Sequence, residues 1–105
     1  MNTLIVTGGT IQSEFAARYI EEREWDYVVC ADAGMKFCHE AGIIPDLILG
    51  DFDSVDQESY EYFKAVCSER MERFPSHKDE TDTELALLRA IEAGADAVTM
   101  IGATG

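Results

Sequence analysis

Short β-branched apolar runs recur along this chain, each followed by a segment of helical periodicity, and that alternation leaves few folds open. Thr3-Leu4-Ile5-Val6-Thr7 is such a run, stopped by Gly8-Gly9. Ser13 to Arg23 then places Phe15, Ala16, Tyr19 and Ile20 at helical spacing, with charges on the other face. The pattern repeats: a strand over 26–31, a short helix from about Gly34 ending at Gly42, and a strand Leu47-Ile48-Leu49 entered through Pro45-Asp46 and ended at Gly50. Ser59 to Ser68 predicts a helix with Tyr60, Phe63 and Cys67 on one stripe and Tyr62 and Val66 beside it. Met71 to Phe74 reads as a weak edge strand before Pro75. Thr81-Asp82-Thr83-Glu84 has the capping-box form, and Leu85, Leu88 and Ile91 follow on one helical face with Leu87 beside them. Gly94 closes that helix, and Ala97 to Ile101 is the last strand. Five strands with four intervening helices predict an α/β fold, a doubly wound and mostly parallel sheet with helices on both faces.

At 105 residues the chain allows one domain, residues 1–105, burying roughly 60–70% of its unfolded surface. Twenty-one Asp and Glu against 8 Lys and Arg leave a net charge of −13. Such a surface repels phosphate backbones and anionic lipid, which argues against nucleic acid and membrane surfaces as partners. An anionic substrate stays possible if metal ions or local lysines offset the repulsion. Cys30, Cys38 and Cys67 are an odd number without C-x-x-C spacing, each in an apolar setting. They read as small buried hydrophobes in a reducing, cytoplasmic compartment. No apolar run approaches a membrane span. The closing Ile101-Gly102-Ala103-Thr104-Gly105 is a strand entering a Gly-rich turn of the kind that launches a helix, so the chain reads as a fragment of a longer protein.

In open parallel sheets, ligands bind outside the carboxyl ends of the strands. That rule gathers Gly8-Gly9-Thr10, Asp32-Ala33-Gly34, Gly50-Asp51-Phe52-Asp53-Ser54 and His77 to Asp82 on one edge. Asp32, Asp51, Asp53, Asp79 and Asp82 therefore share a rim, an arrangement that is unfavourable without cations among them. Asp51 and Asp53 lie two apart past a strand, so in extended backbone both carboxylates face the same way. Hard oxygen donors without His or Cys partners suit Mg²⁺. Taken alone, a D-x-D is a solvated turn; Gly50 and the other rim aspartates shift the balance towards a metal site. Thr81 alone is a helix N-cap, with Asp82 and Glu84 favouring the helix dipole. Lys78 is either a phosphate-binding cation or a local counter-charge. Gly8-Gly9 fits neither G-x-G-x-x-G nor the P-loop pattern. His39 and His77 read as ordinary surface or cap residues, and Tyr60, Tyr62 and Phe63 as core rather than a stacking platform.

Three blocks then combine: Asp32-Ala33-Gly34; Gly42-Ile43-Ile44-Pro45-Asp46-Leu47-Ile48-Leu49-Gly50-Asp51-Phe52-Asp53-Ser54; and Lys78-Asp79-Glu80-Thr81-Asp82-Thr83-Glu84. Together they resemble the thiamine pyrophosphokinase family, over nearly the whole chain, as its catalytic α/β domain. Gly102-Ala103-Thr104-Gly105 looks like the start of that family's G-G-R-x-D-H loop. The Arg, Asp and His of that loop are absent from this sequence, as is a C-terminal β-rich domain.

The resemblance implies a transferase of the kinase class that moves a diphosphate from ATP to the hydroxyl of thiamine, giving thiamine diphosphate and AMP. It implies that Asp51, Asp53 and Asp82 hold Mg²⁺, and that Gly9, Thr10, Asp32, Gly34, Lys78, Asp79 and Thr81 seat ATP. Asp51, Asp53, Asp79 and Asp82 are the catalytic candidates, one rim aspartate serving as general base. It further implies a homodimer in the full-length protein. Two alternatives stand beside it: a pyrophosphokinase acting on a pterin alcohol, and a nucleotide-binding or dimerising fragment without activity of its own.

Overall fold

Successive residues of a strand face opposite sides of a sheet, and here both sides are apolar, which is the signature of strands covered on two faces. The computed structural model describes residues 1–7, 18–31, 34–50, 52, 56–73 and 82–101. Its strands are β1 (Asn2–Val6), β2 (Tyr27–Ala31), β3 (Leu47–Gly50), β4 (Met71–Arg73) and β5 (Ala97–Ile101). Its helices are α1 (Met35–Ala41), α2 (Gln57–Cys67) and α3 (Asp82–Glu92), and residues 18–21 are helical as well. The sheet order is β4-β3-β2-β1-β5, with every neighbouring pair parallel. This is the expected α/β sheet, with β4 at an edge.

Leu4, Val6, Cys30 and Ile48 enter one core with Ile20, Met35 and Cys38 of the first helices and Phe63 and Cys67 of α2. Ile5, Val29, Leu47 and Leu49 enter the other, under Ala86 and Ala90 of α3. Phe63 is fully buried, a contribution of about 1.5–3 kcal/mol from apolar transfer alone. All three cysteines are buried and in no disulfide, as their apolar contexts predict.

The helix ends follow the glycines. Past α1, Gly42 adopts φ 74°, its N–H donates to His39 and that of Ile43 to Cys38. Past α3 the same pair of bonds joins Gly94 to Ile91 and Ala95 to Ala90, with Gly94 at φ 98°. Both are Schellman closures. Helix α2 starts two residues earlier than its apolar stripe predicts, because Asp56 caps it and accepts from the Ser59 N–H at 3.1 Å.

The buried stripe of α3 differs from the expected one. Ala86 and Ala90 face the sheet, Leu85 and Leu87 flank them half-buried, and Leu88 and Ile91 are 50% and 58% exposed. Size decides this: alanines four apart let the helix axis approach Val29, Leu47 and Leu49 closely, whereas leucines there would hold it off. Phe15, Ala16 and the proposed cap at Thr81 lie outside the described residues.

The amino edge of the sheet carries a repeated device that sequence reading passed over. Asp26, Asp46 and Asp96 each immediately precede a strand. Asp46 donates its N–H to the Val28 carbonyl at 2.8 Å, and its carboxylate accepts the Val28 N–H at 2.8 Å. Asp26 does the same to Asn2, at 2.9 and 2.7 Å. Asp96 donates to the Met1 carbonyl at 3.0 Å and its carboxylate pairs with the Met1 ammonium. Each clamp extends a β-ladder by one rung, with a side chain standing in for a backbone carbonyl.

Candidate functional site at the carboxyl edge

Because every strand is parallel, Val6, Ala31, Gly50, Arg73 and Ile101 all end on one edge. The chain steps β1, β2, β3, β4 in one direction and then returns to the far side of β1 with β5. The crossovers therefore diverge between β1 and β5, the place where open sheets leave a crevice. Thr7 closes the described part of that crevice. It is buried, its N–H donates to the Ile101 carbonyl at 2.8 Å, and its hydroxyl donates to the same oxygen at 3.0 Å.

Gly34, expected to help seat a nucleotide, stands against the end of β1. A Cβ on it would lie 2.8 Å from the Val6 carbonyl oxygen and 3.0 Å from that of Thr7. Packing alone thus requires glycine there, and it lets the turn after β2 approach the crevice. At the end of β3, Gly50 has φ 151°, and Phe52 has φ 60°, a left-handed backbone costly for an aromatic residue. Phe52 packs on the first core and lies 5.7 Å from the Tyr60 ring. The D-x-D pair therefore flanks a strained residue anchored through its side chain, and extended backbone does not describe its middle.

Below that loop, α1 and α2 are joined by a chain of hydrogen bonds. The Ser59 hydroxyl, fully buried, donates to the Asp56 carboxylate at 2.8 Å and stands 3.1 Å from His39 Nδ1. The His39 ring stacks on Tyr62 at 4.4 Å. These bonds from Ser59 hold the Asp56 carboxyl below its usual range. His39 is therefore a half-buried tie between helices rather than a plain surface residue; no spacing rule signals it, since its partner lies 20 residues away. A shallow notch of about 300 Å³ opens beside Phe52, lined by Tyr60, Lys64, Ser68, Met71 and Arg73.

Asp82 opens α3 on the run returning from the carboxyl end of β4. Arg89 of the same helix meets Glu72 of β4 at 3.0 Å. Gly9, Thr10, Asp32, Asp51, Asp53, Lys78, Asp79 and Thr81 lie outside the described residues, as does the Asp82 side chain. Among the described residues no group of three His, Cys, Asp or Glu side chains is placed to hold a metal. No helix among them is long and apolar enough to cross a membrane.

Comparison with known proteins decides the family. The profile described as "Thiamin pyrophosphokinase, catalytic domain" matches residues 19–105. The chain belongs to the thiamin pyrophosphokinase family. A curated thiamine pyrophosphokinase of Bacillus subtilis (strain 168) is 39% identical over 75 residues, covering 70% of this chain and 34% of that protein. The crystal structure of thiamin pyrophosphokinase from Geobacillus thermodenitrificans superposes with a TM-score of 0.77 at 32% identity, over 100% of this chain and 48% of the other. A family member from Enterococcus faecalis gives a TM-score of 0.71 at 35% identity, again with 48% of its chain covered. The chain thus spans about half the length of the solved family members it matches, and the α/β sheet is the half they share.

Proposed function

We propose that this chain is the metal- and nucleotide-binding part of an enzyme that transfers diphosphate from ATP to thiamine, releasing thiamine diphosphate and AMP. What supports this reading above all is the match of residues 19–105 to the family's catalytic domain. The placement of the Gly50 and Gly34 turns at the carboxyl edge of a parallel sheet agrees with it.

In this reading Asp51, Asp53 and Asp82 hold Mg²⁺; three hard carboxylates without His or Cys fit that ion. When bound, it neutralises polyphosphate charge as the transfer proceeds. Gly9, Thr10, Asp32, Gly34, Lys78, Asp79 and Thr81 seat ATP. The thiamine hydroxyl oxygen bonds to the β-phosphorus while the bond from that phosphorus to the α,β-bridging oxygen breaks, and AMP leaves. The hydroxyl proton passes to a rim aspartate, Asp79 being the candidate outside the metal set. Positioning of the acceptor accounts for roughly 7–11 kcal/mol of such a barrier. The acceptor pocket is assigned to the part of the relatives that this chain does not span.

The test is thiamine-dependent AMP release by this chain and by a protein of the relatives' full length. The short chain is expected to bind Mg²⁺–ATP weakly without turnover. The long one turns over, and Asp53→Asn abolishes it. Turnover unaffected by Asp53→Asn refutes the metal assignment.

A further inference from the structure

Two of the three buried thiols are neighbours. Cys38 Sγ donates to Cys30 Sγ at 3.6 Å, and Cys30 Sγ donates to the Ala31 carbonyl at 3.2 Å. Both residues are fully buried, one in β2 and the other eight positions later in α1. Cys67 belongs to the same core, on α2. A buried cysteine fills space equally well alone, so packing does not require two sulfurs in contact. The pair brackets the Asp32-Ala33-Gly34 turn in sequence, so a bond between the sulfurs ties the two ends of that turn together through the core.

We propose that Cys30 and Cys38 form a reversible redox modification site, a dithiol that a hydroperoxide oxidises to a disulfide and a thiol reductant restores. A disulfide brings its sulfurs to about 2.05 Å, so these two must close by roughly 1.5 Å. Side-chain rotation and a small displacement of α1 supply that movement. Helix α1 is the weaker of the two elements: it has seven residues, its N-cap Gly34 makes no side-chain bond, and its first turn carries no acidic residue. Short helices without such caps open locally, and opening brings Cys38 to solvent. There its thiolate attacks the hydroperoxide. An S–O bond forms, the O–O bond breaks, and the departing oxygen takes up the thiol's proton and leaves as water or alcohol. On reclosing, the Cys30 sulfur attacks the Cys38 sulfur. The S–S bond forms, the S–O bond breaks, and the hydroxyl leaves as water with the Cys30 proton. The dithiol loses two electrons and the hydroperoxide gains them. Cys30 Sγ is already aligned for its step, since it accepts from Cys38 in the reduced chain.

Dilute hydrogen peroxide on the folded chain, followed by alkylation, intact mass and peptide mapping, tests the site. The parent is expected to lose about 2 Da, to yield a linked Cys30–Cys38 peptide with Cys67 still alkylated, and to regain its mass with dithiothreitol. Cys67→Ser leaves that product unchanged. Cys30→Ser removes the second sulfur, so Cys38 gains about 16 Da as a sulfenic acid that dimedone traps. If Cys30→Ser does not fold, the map of the parent decides. A bond through Cys67, or three thiols still alkylated at a dose that oxidises methionine, overturns the proposal.

Discussion

Replacing Gly34 with alanine isolates one packing constraint at the site. Gly34 has φ −90° and ψ −3°, a conformation open to alanine, so no left-handed strain enters. The added methyl carbon meets the Val6 carbonyl oxygen at 2.8 Å, the Thr7 carbonyl oxygen at 3.0 Å and Val6 Cγ1 at 3.0 Å. Val6 belongs to an interior strand, paired with Cys30 on one side and Ile101 on the other, so its carbonyl cannot retreat. The turn opening α1 must move instead. Overpacking of this kind costs about 1–3 kcal/mol, and contact with two backbone oxygens places Gly34→Ala towards the upper end. At roughly 4–8 °C per kcal/mol for a domain of this size, the melting temperature falls by about 10–20 °C. Gly42→Ala is the matched control. Its φ of 74° is strained for alanine, but nothing lies within 4 Å of the new carbon. It is expected to cost only about 1 kcal/mol. Thermal melts of both variants decide the matter: a Gly34→Ala melt indistinguishable from the parent, or one less perturbed than Gly42→Ala, refutes the packing argument.

Thr3 is fully buried in β1 with a hydroxyl lacking a hydrogen-bond partner among the described residues. Thr3→Val should therefore raise stability by about 1 kcal/mol, read as a higher denaturant midpoint at unchanged slope; a lower midpoint contradicts it. Asp46→Ala strips the Val28 N–H of an exposed acceptor and should cost about 0.5–1.5 kcal/mol while speeding exchange of the Val28 amide, and unaltered exchange would sink the clamp. The Met1–Asp96 clamp makes stability depend on pH at both ends. The ammonium holds the Asp96 carboxyl below its usual range, chiefly by hydrogen bonding, so that contribution is lost as pH falls through the lowered value. Asp96 in turn raises the ammonium pKa, so the amine's contribution is lost as pH rises through the raised value. The stability gap between parent and Asp96→Asn is thus widest near neutral pH, and a gap that ignores pH refutes the pairing.

Much of this fold was legible because period and punctuation agree. Leu4-Ile5-Val6, Val28-Val29-Cys30 and Leu47-Ile48-Leu49 are apolar on both faces, and Gly42 and Gly94 stop their helices where they should. The face of α3 was not legible, because a hydrophobicity pattern ranks Leu88 and Ile91 above Ala86 and Ala90, while close packing ranks by size. The sequence reading of the rim rests on the D-x-D pair, the lysine block and Asp32, which lie outside the described residues; what the structure gives is the shared carboxyl edge where their strands end. His39 with Ser59 was beyond reach, since that pairing joins helices whose approach only the folded sheet creates.

The three aspartate clamps also imply an order of assembly. Asp46 reaches back 18 residues to Val28, Asp26 reaches 24 to Asn2, and Asp96 reaches 95 to Met1. Loop closure costs more as the loop lengthens, so β3 is expected to register on β2 first, β2 on β1 next, and β5 on β1 last. Pulse-labelled exchange during refolding checks the sequence: the Val28 amide should gain protection before that of Thr7, which donates to Ile101, and the reverse order would refute it. The crevice between β1 and β5 is then the last part of the sheet to exist. A partly folded chain presents no such crevice, and the carboxyl edge is complete only once the longest-range pairing has been made.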